Sequence, residues 1–86
     1  MSYKELHSIL ADMLRATGAR NEGALEELNN KYEAVARETY KEPTTKIDLD
    51  FDLCRTLCMT ALRYNSEHVR YMKQAREAFD KLGAHT

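Results

Sequence analysis

The chain has 86 residues, 43% hydrophobic and 31% charged, with 13 Lys and Arg against 14 Asp and Glu. That length makes a single domain near the lower limit for unaided folding. A net charge of −1 argues against a domain that grips polyanions through bulk charge.

One Pro and three Gly favour helices over a turn-rich β fold. No apolar stretch approaches the roughly 20 residues of a membrane span, and the start lacks a secretory-signal pattern. A cytoplasmic protein without membrane contact is expected, and two cysteines are too few for a disulfide scaffold.

The first helix is expected over 2–17. Ser2-Tyr-Lys-Glu5 fits an S-x-x-E capping box, and Tyr3, Leu6, Leu10 and Met13 recur at helical spacing, widened by Ile9 and Leu14. Gly18 should stop it in the left-handed conformation. Asn21 can cap a second helix over 21–42, whose core stripe is Leu25, Leu28, Tyr32, Val35 and Thr39. Pro43 ends it, since the residue before a proline is pushed out of helical space.

Residues 43–49 read as a loop, and the third helix as 50–82, begun by the charges of Asp48, Asp50 and Asp52 against the helix dipole. Cys54, Cys58, Ala61, Asn65, His68, Met72, Ala75, Phe79 and Leu82 alternate 4 and 3 apart along it. A continuous helix of that length runs about 50 Å and would overhang the other two; Asn65-Ser66 offers the alternative of a break. The fold expected is all-α, a small bundle of three helices with a long C-terminal one, or of four if it breaks. The overhang would be covered by homodimerisation.

Chemical motifs are incomplete. Cys54-x-x-x-Cys58 resembles one half of the twin-CX3C motif of small intermembrane-space chaperones, but the second pair is absent. His7, His68 and His85 show no paired spacing that would complete a zinc site. The cysteines therefore read as small core residues.

Asp48-x-Asp50-x-Asp52 begins like an EF-hand loop, yet Leu53 and Met59 stand where the pattern needs Gly and Glu. Glu77-Ala-Phe-Asp80 matches the E-x-x-D element of the all-α nucleotide pyrophosphatases, but no E-x-x-E accompanies it. No catalytic, metal or cofactor-binding residue is assigned.

Two groups of residues carry functional expectations. Arg63, Arg70, Lys73 and Tyr71 form a basic and aromatic strip suited to phosphate and base contacts, although Glu67, Glu77 and Asp80 interleave it. Asn65 and His68 interrupt an apolar seam, as register-setting polar residues do. With Met72 and Phe79 they make a candidate interface. Residues 22–42 hold six Glu against Lys31, Arg37 and Lys41, an acidic face open to a basic partner.

The leading expectation is a non-catalytic interaction module with a protein partner, such as a small adaptor, regulator or inhibitor. Phage-encoded inhibitors of host or defence machinery suit its size by analogy. The alternative is a nucleic-acid or nucleotide binder using the strip, and the third is a Mg²⁺-dependent nucleotide hydrolase.

Overall fold

The computed structural model describes residues 2–83, which form four α-helices and no strand. They are α1 (Tyr3–Gly18), α2 (Glu22–Thr39), α3 (Lys46–Arg63) and α4 (His68–Leu82), with a 3₁₀ turn at Asn65–Glu67.

Helix α1 starts where the Ser2 hydroxyl accepts the Glu5 amide at 3.2 Å. It buries Leu6, Ile9, Leu10 and Met13, and its far end corrects the expectation for Gly18. The left-handed residue is Arg20, at φ 55°, and no described glycine has positive φ. The Asn21 amide bonds the Ala16 carbonyl at 2.9 Å and the Arg20 amide bonds Thr17 at 3.0 Å, so Arg20 fills the position that a Schellman cap normally gives to glycine. The Arg20 guanidinium donates to the Asn65 side chain, tying the α1–α2 turn to the turn before α4.

Helix α2 is capped by Asn21, which accepts the Ala24 amide at 3.1 Å. It ends at Thr39, three residues before the boundary expected from Pro43. The Asp48 carboxylate explains the early stop. It takes the Lys41 amide at 3.0 Å, drawing the chain out of helical geometry after Tyr40, whose ψ is 145°.

The same carboxylate starts α3 at Lys46 instead of residue 50. Thr45 and Asp48 form a complete capping box, the Asp48 amide donating to Thr45 Oγ1 at 3.3 Å and the Thr45 amide to Asp48 Oδ2 at 3.2 Å. Leu49, expected in the loop, is therefore helical. Asp48 is fully buried, and the Tyr3 hydroxyl completes its partners at 2.6 Å.

The single long C-terminal helix is also corrected. The chain leaves α3 at Tyr64, turns through Asn65–Glu67, and α4 doubles back to pack along α3. His68 closes the turn: a carbonyl can only accept, so its Nδ1–H donates to the Ala61 carbonyl, 2.8 Å away. Cys54 and Cys58 on α3, and Ala75 and Leu82 on α4, then share one core. The Cys54 thiol donates to the Ala75 carbonyl at 3.6 Å. The overhang that argued for a dimer does not exist.

Helix α1 lies against all three of the others, while α2 leans mainly on α1, touches α3 lightly and meets next to nothing of α4. Arg55 is the strut between α2 and α3. It bonds Asn29 at 3.0 Å and Asp52 at 2.9 Å, lies 3.7 Å from Glu33, and stands 5.7 Å over the Tyr32 ring. No described helix is long and apolar enough to cross a membrane.

Candidate interaction face

The α3–α4 hairpin packs one side on α1, and its other side is open. On α3 the helical period sends Asp48, Phe51, Cys54, Cys58 and Ala61 into the core, while Arg55 turns to α2. Leu49, Leu53, Thr56 and Thr60 follow at spacings of 4, 3 and 4 and so share the remaining face. Leu49 is 61% exposed and Leu53 53%. Beside them Leu53, Leu57 and Ala78 line a groove of about 420 Å³ between α3 and α4. Lys46, Asp50, Glu77 and Lys81 stand around it.

The exposed ridge of α4 has the same spacing and the opposite chemistry. Arg70, Lys73, Glu77 and Asp80 recur at 3, 4 and 3, all exposed and all charged. Arg70 is engaged locally, ion-paired to Glu67 at 2.9 Å and lying 4.9 Å over the Tyr71 ring. Tyr71 in turn sits 6.3 Å from Tyr64.

The residues of the basic strip are not brought onto one surface. Arg63 lines the separate groove between α2 and α3, beside Glu22 and Glu26. Arg70, Lys73 and Tyr71 are on α4, where Arg70 already has an anionic partner.

Of the seam residues, His68 is 7% exposed and Met72 3%, so both are consumed by the chain's own core. Phe79 stacks on His7 with ring centroids 4.3 Å apart. Asn65 is exposed but held by Arg20. None of the four lines the open groove.

Asp48, Tyr32, Cys54 and Cys58 are turned inward. Asp48 is pulled in two directions. Burial alone would raise its pKa, but the bonds from Tyr3, Lys41 and Thr45 outweigh it and hold the carboxyl below the usual carboxylate range. The Tyr3 hydroxyl is raised chiefly by donating to that carboxylate.

Tyr32 and Tyr40 bond each other through their hydroxyls at 2.7 Å. Burial raises both, Tyr40 to about 12. The Cys54 thiol is raised by its contact with Cys58 and by burial, the reverse of what a reactive thiolate needs.

The three aspartates of the calcium-like stretch diverge. Asp48 enters the core, Asp50 pairs with Lys46 at 3.2 Å, and Asp52 pairs with Arg55. Among the described residues no three His, Cys, Asp or Glu side chains gather around a common point.

Comparison with protein-family models, with curated proteins and with solved structures found no match to this chain.

The open face was partly legible. Leu53 reads from sequence as a flank of the buried seam, and Leu49 as loop. Once Thr45-x-x-Asp48 is taken as the cap, the 49, 53, 56, 60 spacing appears as a second face on the same helix.

Proposed function

We propose that the protein is a non-catalytic helical interaction module that acts by seating the α3 ridge and the adjoining groove against another protein surface. The observation that carries this reading is the pair Leu49 and Leu53. Two leucines more than half exposed stand one turn apart on a well-capped helix, at a groove that Leu53 lines with Leu57 and Ala78. A small domain has little apolar surface to leave open, and contiguous apolar patches rimmed by polar groups mark docking sites. The rim supplies charges of both signs, which favours a protein surface over a polyanion.

A small adaptor, regulator or inhibitor fits such a module. The nucleic-acid alternative is weakened by the dispersal of Arg63 from Arg70 and Lys73, and by the Glu67–Arg70 pair. A Mg²⁺-dependent hydrolase finds little support, since Glu77 and Asp80 stand on the charged ridge of α4 and, among the described residues, no three His, Cys, Asp or Glu side chains gather around a common point.

The test is a tagged pull-down from native lysate, with and without nuclease, comparing the wild type with Leu49→Lys/Leu53→Lys. A protein partner that survives nuclease and is lost with the double variant is expected. Capture of nucleic acid that collapses as salt rises, and that the double variant leaves intact, would replace this reading with the alternative.

A further inference from the structure

The open ridge of α3 is divided along its length. Its N-terminal half presents Leu49 and Leu53, and its C-terminal half Thr56 and Thr60. Facing helices pack best when large side chains meet small ones. A second copy laid antiparallel across a two-fold axis between residues 53 and 56 sets Leu49 against Thr60 and Leu53 against Thr56. It does so twice, because a two-fold contact is self-complementary. A parallel copy would set leucine on leucine and threonine on threonine, crowding one end and leaving the other loose.

The charges of the hairpin are sorted in the same sense. Near the turn, on the α4 side, stand Arg70 and Lys73 with one carboxylate, Glu67, while Arg63 faces the α2–α3 groove. At the far end Lys46 and Lys81 stand with three carboxylates, Asp50, Glu77 and Asp80. Asp48 is buried, Asp52 and Arg55 pair with each other, and Arg76 lies beside Gly18 of α1. An antiparallel copy brings the positive end of one hairpin over the negative end of the other.

We propose that the α3 ridge is covered by a second copy of this chain, the two α3 helices running antiparallel about an axis between Leu53 and Thr56. This rests on the reading of the ridge as a docking surface, and it names the occupant and its direction. In the pair, the charged outer face of α2 would be displayed in two copies to any further partner.

Two single-cysteine variants, Leu49→Cys and Thr60→Cys, read out the direction. Position 49 lies against position 60 of an antiparallel copy. Like positions are separated by 11 residues, about 16 Å along the helix, beyond the roughly 7 Å between Cα atoms that a disulfide spans. Cys54 and Cys58 are fully buried and do not compete.

Mild oxidation of the 1:1 mixture at tens of micromolar should give disulfide-linked heterodimer, and each variant alone should give little. Sedimentation equilibrium should show a wild-type dimer, weakened at least tenfold by Leu53→Lys with the helical circular dichroism spectrum unchanged.

Cross-linking of each variant with itself would overturn the antiparallel arrangement while leaving the docking reading in place. A dimer indifferent to Leu53→Lys would overturn the ridge as its contact. A wild type monomeric throughout this range would overturn the second copy as occupant, and the pull-down would then decide whether the ridge docks anything else.

Discussion

Helices α3 and α4 run side by side in one hairpin, and each carries a ridge turned to solvent. On α4 that ridge is Arg70, Lys73, Glu77 and Asp80, and on α3 it is Leu49, Leu53, Thr56 and Thr60. Both helices bury a good apolar face, so the requirements of folding are met equally. The contrast therefore separates what the fold needs from what it does not. Solvated helix ridges fill with mixed charges, as this one on α4 does, although Val69 on the same helix is 79% exposed. An uncharged ridge of the same length on its neighbour adds nothing to the monomer's core, and it has a purpose if something covers it.

The inner side of α3 sets the scale. Phe51 is fully buried on it, its ring 5.3 Å from that of Tyr3. Phe51→Ala should cost about 3–5 kcal/mol in urea unfolding, the largest effect expected on this helix. A loss under 1 kcal/mol would mean that the core does not run along this side.

Asp48→Asn should cost about 1–3 kcal/mol, because donors from α1 and from the α2–α3 connection lose an ionised acceptor. This effect has a pH signature. The folded pKa of Asp48 lies below its unfolded value, so its contribution is complete above the unfolded carboxylate pKa, about 4. It is lost as pH falls through the folded value. Between pH 6 and pH 2 the urea midpoint should fall further for the wild type than for the variant, and parallel curves would count against it.

On the outer side the ranking between stability and association inverts. Leu53→Lys should shift monomer stability by no more than about 0.5 kcal/mol, as exposed substitutions do, while weakening self-association by about 1.4 kcal/mol or more, a factor of ten. Glu77→Gln and Lys73→Ala on α4 should be smallest of all in unfolding, within about 0.5 kcal/mol, and should weaken association by less than Leu53→Lys does. If the α4 substitutions disturb association as much as Leu53→Lys does, the two ridges are not different in kind.

The sequence revealed α1 and most of α2, where an apolar stripe and a capping side chain agree at Ser2 and Asn21. It concealed the turn at residues 64–67. Ala61 on one side of the break and His68 and Met72 on the other turn into the core, and Asn65, exposed in the turn between them, keeps the 4–3 alternation unbroken. Periodicity reports which side chains turn inward, and it is silent on whether the chain goes straight on or doubles back.

The start of α3 was hidden for another reason. Asp50 and Asp52 suggest a helix start by charge, but the boundary is set by hydrogen bonds at Thr45 and Asp48. Arg20 in a left-handed cap had no sequence signal, with Gly18 two residues away. Exposure at Leu53 was illegible in principle, since whether α4 or α1 covers it depends on packing angles.

The most direct measurement places a photo-crosslinking side chain at position 53 of one sample and at position 73 of another, each purified and irradiated at tens of micromolar. Position 53 should yield covalent dimers readily and position 73 far fewer. Irradiation that leaves the 53-labelled chain monomeric, or that joins the 73-labelled chains equally well, would contradict a covered α3 ridge beside a bare one on α4.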